Sequence, residues 1–345
     1  MKQGWEIKKL GEVCKLYQPK TISGEMLEED GKFLVYGANG VIGRYSQYNH
    51  EESEVLLTCR GATCGSINVS EPYSWINGNA MVVKPILPNT IKQSFLKYYL
   101  TSVDWSEVIT GAAQPQITRQ SLSPLKIVIP PLPEQEKIVS ELDCLSGIIE
   151  KKSQQLKELD TLAQSIFYEM FGNPVDNERG WEVKKFNDCY KLASGKSLTA
   201  KNIKEGDYPV YGGNGIVGYH NEYNLDGDNI IIGRVGALCG NVRNIFGKAF
   251  ITDNAFIVTK LVEGINVFVL YLLRIHNLRQ YARDALQPVV SNAGFKNISI
   301  ILPPLPLQQS FAQKIEAIEQ QKALIKQSIA EVETLFNARM QEYFE

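Results

Sequence analysis

An arginine among small residues occurs twice in the chain, in segments that could approach a nucleic acid closely. The first copy reads Cys59-Arg60-Gly61-Ala62-Thr63-Cys64-Gly65, and the second reads Gly233-Arg234-Val235-Gly236-Ala237-Leu238-Cys239-Gly240, with one inserted residue. An arginine at a strand end beside small residues can come close to a backbone or to the edge of a base. The alternative interpretation is a turn between two strands that carries a surface arginine.

The cysteines around Arg60 raise the question of a metal site. Cys59, Cys64 and His50 carry ligand types that zinc prefers. The second copy has Gly233 in the place of Cys59, so we expect no metal site. None of the six cysteines forms a CxxC pair, which indicates free thiols in a reducing cytosol.

The sequence contains no constellation that predicts catalysis by this chain. We find neither a PD…ExK nuclease pattern nor a cofactor loop. The segment Gly195-Lys196-Ser197 is not a phosphate-binding loop, because that motif requires a glycine where the chain has Tyr190. We therefore predict no catalytic residues and no cofactor in this chain.

The arginine segments belong to a duplication that spans the whole chain. Residues 36–49 (YGANGVIGRYSQYN) return as 211–224 (YGGNGIVGYHNEYN), with seven of fourteen positions identical. The hexapeptide WEIKKL at 5–10 returns as WEVKKF at 181–186, and PPLPEQ at 130–135 returns as PPLPLQ at 303–308. A duplicated unit is typical of a protein that presents two similar surfaces to a partner with two sites.

Each copy begins with a globular part of about 130 residues, in which short apolar runs alternate with turn residues. The runs at 55–59, 80–86, 229–233 and 255–261 predict buried strands, and those at 94–101 and 267–274 predict short amphipathic helices. The Tyr-Gly-x-Asn-Gly elements at 36–40 and 211–215 predict turns between strands. We expect an α+β domain with a curved, mainly antiparallel sheet.

Each copy ends in a long helix with a heptad pattern of apolar residues. The steps alternate between four and three in both segments. The first seam is Ile138, Leu142, Leu145, Ile149, Leu156, Leu159, Ala163, Ile166 and Met170, interrupted by Lys152. The second is Phe311, Ile315, Ile318, Ile325, Ile329, Val332, Phe336 and Tyr343, interrupted by Lys322 and Arg339. The simplest burial of both seams is against each other, as an antiparallel coiled coil with a pseudo-twofold relation overall.

Charge is distributed unevenly along the chain. Residues 1–133 and 172–306 carry net charges of +1 and +3, whereas 134–171 and 307–345 carry −4 and −2. This distribution is compatible with an anionic partner that touches only the globular parts. No apolar run is long enough to span a bilayer and no signal peptide is visible, so we expect a cytoplasmic protein without membrane contact.

The doubling, order and spacing of these motifs resemble the specificity (S) subunit of type I restriction–modification systems. The resemblance covers the whole chain, although Leu307 and Gln309 replace the acidic Glu134 and Glu136 in the second copy. It implies target recognition domains at 1–133 and 172–306, with spacer helices at 134–171 and 307–345. It further implies that the chain itself is non-catalytic and reads a bipartite double-stranded DNA target with an unread gap between the two parts.

The resemblance also implies partners. Two methyltransferase (M) subunits would carry S-adenosylmethionine, and restriction (R) subunits would carry ATP and Mg. Three apolar residues off the strict seam are candidates for contact with partner helices: Leu162, Phe167 and Leu335.

Loop residues of both globular parts are candidates for contact with DNA. Gln114 and Gln116 precede the final strand of the first copy, as Gln287 does in the second, and glutamine can pair bidentately with adenine. The whole set is Arg44, Tyr45, Arg60, Gln114, Gln116, Arg119, Tyr219, His220, Arg234, Arg243, Gln287 and Asn292.

Other classes of function stay open at this point. The chain could serve a modification-only or type II-like methyltransferase, or it could be a protein scaffold without DNA contact. A self-contained nuclease or methyltransferase is disfavoured by the missing catalytic motifs. Salt-dependent DNA binding by the assembled complex separates a recognition subunit from a scaffold.

Overall fold

The computed structural model describes residues 4–87, 89–111, 114–283 and 288–344. The chain forms two compact units. Unit 1 consists of the residues up to Lys152 together with those from Ser328 onward, and unit 2 is Ser153–Gln327. Each unit therefore combines one globular part with half of each long helix. None of the helices in these ranges is long and apolar enough to cross a membrane.

The elements of the first copy follow the apolar runs of the sequence. Its strands are β1 (Glu6–Lys9), β2 (Cys14–Tyr17), β3 (Phe33–Gly37), β4 (Gly40–Tyr45), β5 (Val55–Thr58), β6 (Ile67–Val69), β7 (Trp75–Ile76), β8 (Ala80–Pro85) and β9 (Lys126–Ile129). Its helices are α1 (Leu10–Val13), α2 (Gln93–Ser102), α3 (Arg119–Leu122) and the long α4 (Leu132–Phe171). The predicted strands at 55–59 and 80–86 and the helix at 94–101 are confirmed.

The second copy repeats this order. Its strands are β10 (Val183–Lys185), β11 (Tyr190–Ser194), β12 (Tyr208–Gly212), β13 (Gly215–His220), β14 (Asn229–Gly233), β15 (Val242–Ile245), β16 (Phe250–Ile251), β17 (Ala255–Lys260) and β18 (Ser299–Ile301). Its helices are α5 (Phe186–Cys189), α6 (Asn266–Ile275), α7 (Asn292–Phe295) and the long α8 (Leu305–Phe344). The predictions for 229–233, 255–261 and 267–274 are confirmed as well.

The strands of each copy form three sheets, which corrects the expectation of one. In the first copy these have the orders β2-β8-β5-β6, β4-β3-β7 and β1-β9, and the second copy has the same three orders. Among the strands that the structure describes, β3 with β7 and β12 with β16 are parallel pairs, and the other strand pairs are antiparallel. A bulge between Val35 and Tyr36 shifts the register of the β3–β4 hairpin.

The main core of each unit lies where the four-stranded sheet, a short helix and the long helices meet. In unit 1, Val55 and Val83 of the sheet and Phe95 of α2 share a buried cluster with Leu142 of α4. In unit 2, an aromatic cluster takes this place. Phe167 lies 5.0 Å from Phe171, 5.7 Å from Phe268 and 5.5 Å from Phe311, measured between ring centroids.

The long helices pair in antiparallel orientation, as the heptad pattern predicts. Within unit 2, Asp160 of α4 contacts Lys322 of α8, and Phe167 of α4 contacts Phe311 of α8. Residue numbers thus rise along α4 as they fall along α8. Both helices begin two residues before the expected boundaries of 134 and 307, at Leu132 and Leu305.

Two of the three charged residues that interrupt the seams, Lys322 and Arg339, form ion pairs. The ammonium of Lys322 lies 2.8 Å from Asp160 and 2.7 Å from Glu319. Burial lowers the pKa of Lys322, but the hydrogen bonds to these two carboxylates outweigh it, so its pKa is raised. In unit 1, Nε of Arg339 lies 2.8 Å from Glu141, which also accepts a 2.6 Å hydrogen bond from the Tyr343 hydroxyl.

The repeated motif PPLPxQ attaches each long helix to its globular part through its glutamine. Gln135 is fully buried, and its amide nitrogen donates to the carbonyls of Thr90 at 2.9 Å and Pro130 at 2.8 Å. Its amide oxygen accepts from the N–H of Lys92 at 2.8 Å, immediately before α2. Gln135 therefore joins the first turn of α4 to the globular part.

The second copy uses the same device. Gln308 accepts from the N–H of Ile265 at 3.0 Å and donates to the carbonyl of Pro303 at 2.8 Å. The motif thus fixes how each long helix leaves its own domain.

Candidate nucleic-acid interface

The Tyr-Gly-x-Asn-Gly elements form two-residue hairpin turns, as expected. Gly37 pairs with Gly40 at the end of β3–β4, and Gly212 pairs with Gly215 at the end of β12–β13. Gly40 and Gly215 have φ angles of +111° and +124°, which a residue with a side chain rarely adopts. The glycines are therefore part of the scaffold, and they fix the position of the turn.

Three segments converge beside this turn in unit 1. The hydroxyl of Thr58, two residues before Arg60, donates to the carbonyl of Ala38 in the turn. Arg60 and Gln116 form an antiparallel bridge, and the N–H of Gly61 donates to the carbonyl of Pro115 at 3.2 Å. The sequence candidates Arg60 and Gln116 thus lie on adjoining backbone segments. We define this convergence as edge 1.

Unit 2 contains the same convergence, which we define as edge 2. Gly213 of the turn packs directly against Gly233. Val235 bridges Val289, and the N–H of Gly236 donates to the carbonyl of Pro288 at 3.0 Å. The two edges therefore share one backbone arrangement.

Backbone bonds correct the sequence alignment of the two arginines. The carbonyl of Cys59 accepts from the N–H of Ile117 at 3.0 Å, and the carbonyl of Arg234 accepts from the N–H of Val290 at 2.9 Å. Cys59 and Arg234 therefore occupy equivalent positions, and the equivalent of Arg60 is Val235. No inserted residue is needed. The two edges share Gly and Pro at Gly61/Gly236 and Pro115/Pro288. They present different side chains at the other equivalent positions, which are Cys59/Arg234, Arg60/Val235, Gln116/Val289 and Ile117/Val290.

The two arginines lie in different environments. Arg60 is exposed. Arg234 is half-buried, its guanidinium lies 5.4 Å from the centre of the Phe256 ring, and one terminal nitrogen lies 3.4 Å from both the Ser194 hydroxyl and the Asp253 carbonyl. Arg234 is therefore held in place before any partner binds, whereas the Arg60 side chain extends into solvent.

The DNA-contact candidates on the two hairpins differ in how exposed their side chains are. Tyr219 is 55% exposed. Arg44 is exposed and lies 3.4 Å from the carbonyl of Gly31, and Tyr45 is half-buried edge-on to Trp75.

His220 was expected on the surface, but it is buried. It is 5% exposed, and its Nδ1 accepts from the N–H of Lys204 at 3.0 Å. The last side chain of β13 points inward, so His220 belongs to the core of the hairpin.

The remaining candidates surround the two edges. Gln114 is exposed and Gln116 is half-buried. Arg119 and Asn292 are the exposed first residues of α3 and α7. Arg243 is half-buried and donates to the carbonyl of Asn214 in the hairpin turn at 3.2 Å. Gln287 lies outside the described residues.

The cysteine and histidine considered for zinc have other partners. The thiol of Cys59 donates to the carbonyl of Asn79 and accepts from the Gln18 amide, both at 3.0 Å. Burial raises the pKa of Cys59, although the hydrogen bond from Gln18 and the charge of Arg60 oppose this. His50 bonds to the Tyr17 hydroxyl at 2.9 Å, and burial and Lys84 lower its pKa. The thiol of Cys59 and both ring nitrogens of His50 thus have hydrogen-bond partners within the protein.

Of the three apolar candidates for partner contact, two are exposed and one is buried. Leu162 and Leu335 are 48% and 46% exposed. Leu162 borders a shallow groove of 440 Å³ with Leu159 and Ile325 in unit 2. Phe167 was expected to face a partner, but it is fully buried in the aromatic cluster of its own unit.

Sequence reasoning missed two kinds of exposed apolar residue. Leu324 is 68% exposed, and its position one residue before the seam residue Ile325 could have indicated it. The hairpins expose Val41 and Ile42 in one copy and Ile216 and Val217 in the other. Their repetition in both copies was visible in the sequence.

Comparison with known proteins agrees with this architecture. The family model for the type I restriction modification DNA specificity domain matches residues 2–160 and 178–334, once in each copy. The chain therefore belongs to this family of specificity subunits.

Curated relatives point to the same family. The EcoprrI specificity subunit of Escherichia coli is 35% identical over 131 residues, which is 36% of this chain and 32% of that protein. The MjaIX specificity subunit of Methanocaldococcus jannaschii is 25% identical over 308 residues, which is 76% of this chain and 70% of that protein. The EcoprrI match thus spans about a third of that subunit's length.

Solved structures share the fold. The S subunit of a type I restriction–modification system from M. genitalium superimposes with a TM-score of 0.65 at 17% identity, covering 99% of this chain and 96% of that one. A chain from a study of complex assembly and conformational transition of the type I R-M system has a TM-score of 0.57, covering 99% and 98%.

Proposed function

We propose that this chain is the DNA-recognition subunit of a type I restriction–modification complex and reads a bipartite target. The observation that carries the proposal is the pair of edges, which share one backbone arrangement but differ in side chains at equivalent positions. A shared scaffold with different side chains suits the reading of two different half-sites. The coiled coil would set the length of the unread gap between them.

The chain would also recruit its catalytic partners, as the S subunits of this family do. We propose that two M subunits dock on the helix pair, that R subunits join the assembly, and that methylation and cleavage occur on those partners. The exposed leucines at equivalent positions, Leu162 in unit 2 and Leu335 in unit 1, support a docking surface on each half of the helix pair.

Substitution of the edge arginines tests the reading of half-sites. Arg60→Ala is expected to relax recognition of one half-site only, and Arg234→Ala that of the other half only. A bidentate base contact contributes about 1–3 kcal/mol of discrimination, or roughly 5- to 150-fold. The measurement is methylation of a randomised-target DNA library by the chain assembled with its M subunits, followed by sequencing of the modified sites.

Matched controls separate base reading from general attraction to DNA. Lys126→Ala and Lys185→Ala remove exposed positive charges from the two-stranded sheets β1–β9 and β10–β18. Both controls should leave the recognised sequence unchanged. If Arg60→Ala lowered binding equally for all sequences, Arg60 would be a phosphate contact and the base-reading assignment would be wrong.

Polar substitution of the exposed leucines tests the docking surface. Leu162→Ser or Leu335→Ser should weaken association with M subunits roughly tenfold each, because burying the exposed half of a leucine contributes about 1–1.5 kcal/mol. The measurement is the dissociation constant of the S–M complex without DNA. Gln164→Ser, an exposed polar position on α4, is the control and should leave this constant unchanged.

A further inference from the structure

A cleft in unit 2, next to edge 2, is lined by two arginines that the sequence candidates do not include. It has a volume of 220 Å³ and lies between the segment Leu238–Val242 and the end of α6. Arg274 and Arg279 line it together with Asn277. This volume holds several water molecules, since each occupies about 30 Å³ in the liquid, and it therefore has room for a tetrahedral oxyanion.

Arg274 is oriented by its own unit. Its Nε donates to the carbonyl of Val242 at 3.1 Å, and its guanidinium lies 5.9 Å from the centre of the Tyr271 ring. Within the described part of the chain, no carboxylate lies within 4 Å of it and its two terminal nitrogens have no hydrogen-bond acceptor. The side chain thus has one nitrogen fixed and two nitrogens available.

Charges of both signs surround Arg274, whose side chain is partly exposed. Desolvation lowers the pKa of Arg274 and the charge of Arg243 lowers it further, whereas Tyr271, Glu319 and Asp160 raise it. An arginine keeps its charge in proteins despite such a shift. Arg274 is therefore a cation whose two terminal nitrogens an anion in the cleft could contact.

The backbone around Arg279 is packed tightly against the loop of edge 2. A Cβ on Gly240 would lie 2.4 Å from the backbone nitrogen of Arg279, and Gly240 has a φ of +83°. Asn277 has left-handed angles of φ 45° and ψ 65°, which end α6 and turn the chain toward the cleft. The Arg279 side chain itself is exposed.

The same segment continues directly into edge 2. Arg283, four residues after Arg279, bridges Val289, and Val289 bridges Val235. The cleft and the edge therefore form one continuous surface. A duplex read at edge 2 would bring its backbone to the adjoining cleft.

The first copy has no equivalent arginines. The counterparts of Arg274 and Arg279 are Thr101 and Ser106. In the first copy the indole of Trp105 packs on Gly65, where a Cβ would lie 2.6 Å from the ring. The feature therefore belongs to the second domain and not to the shared scaffold.

We propose that Arg274 and Arg279 hold a backbone phosphate of the DNA bound at edge 2, which positions the second domain on its half-site. This inference rests on the proposed function, since it assigns a phosphodiester as the anion. A phosphate contact carries no sequence information, so the pair would add affinity and register rather than specificity. The first domain would depend on other contacts for its register.

The test measures how salt weakens DNA binding by the chain assembled with its M subunits. The probe is a duplex that carries the recognised target, titrated at several salt concentrations. Each phosphate that the protein no longer neutralises reduces the slope of log K against log salt by about one, so Arg274→Gln with Arg279→Gln, which frees the one phosphate, should reduce it by about one. Arg279→Gln alone should reduce the slope by part of this amount, since Arg274 stays on the phosphate, and a folded single variant shows whether the double variant has merely misfolded.

Thr101→Ala with Ser106→Ala in the first copy is the matched control and should leave the slope unchanged. Three outcomes would overturn the inference: an unaltered slope in the double variant, a changed base preference in the modified sites, or loss of M-subunit association in the absence of DNA. The last would show that the arginines hold a partner carboxylate. A wild-type complex without salt-dependent DNA binding would instead overturn the proposed function, and this inference with it.

Discussion

Replacement of Phe167 by alanine is expected to destabilise unit 2 by about 3–5 kcal/mol, the usual cost of truncating a fully buried aromatic residue. Phe167 has no exposed surface and touches Phe171, Phe268 and Phe311 within 5.7 Å between ring centroids. Each aromatic pair adds about 0.5–1.5 kcal/mol beyond the buried area. The substitution removes these three pairs and also the pair with Tyr168, whose ring centroid lies 6.3 Å away.

The measurement is hydrogen exchange across the chain together with urea denaturation. Amides of unit 2 should lose protection, while those of the unit 1 sheets keep theirs. Leu162→Ala is the matched control on the same helix, because this side chain is 48% exposed and its truncation leaves no cavity. If Phe167→Ala left stability unchanged but abolished association with M subunits, Phe167 would be a partner contact after all.

The heptad pattern predicts which residues form the seam, but it does not predict what an apolar residue off the seam contacts, as Phe167 shows. The pattern correctly gave the seam of α4, since its residues are buried or half-buried from Ile138 to Met170. Phe167 lies off that seam, and an apolar residue off a seam can face a partner or the helix's own domain. Only the tertiary structure shows that the end of α4 also packs on α6, through Phe268.

Local elements could be predicted because each depends on neighbouring residues. The buried strands are short apolar runs, and the hairpin turns require the positive φ of Gly40 and Gly215. The pairing of strands into three sheets depends on contacts distant in sequence. A short parallel pair such as β3 with β7 leaves no periodic signal, because β7 has only two residues.

The sequence predicted which segments form the candidate interface, but not which residues of the two copies are equivalent. Matching Arg60 to Arg234 followed residue identity, whereas the hydrogen bonds from Ile117 and Val290 match Cys59 to Arg234. A shift of one residue turns a strand-end side chain to the opposite face. The arginines near edge 2, Arg274 and Arg279, had no sequence signal, because the first copy has no arginine at either position.

Gln135→Leu is expected to loosen the attachment of α4 to the first globular part. The leucine keeps the volume but leaves the N–H of Lys92 and the carbonyls of Thr90 and Pro130 without their bonds. A buried polar group without a partner costs about 1–3 kcal/mol. Three such groups give an expected loss of stability of about 3–9 kcal/mol. The value should lie toward the lower end, because Thr90 and Lys92 are only partly buried. The measurement is the free energy of unfolding in urea.

The equivalent glutamine of the second copy makes fewer bonds, so the two substitutions can be compared. Gln308→Leu removes two such bonds, to Ile265 and Pro303, so its cost should be about two thirds of that of Gln135→Leu. Gln309→Leu, the exposed neighbour, is the control and should cost little. Equal effects of all three substitutions would contradict the role of the glutamine as a bond between helix and domain. The expected order would instead explain why both copies keep glutamine at this position while the residues on either side of it differ.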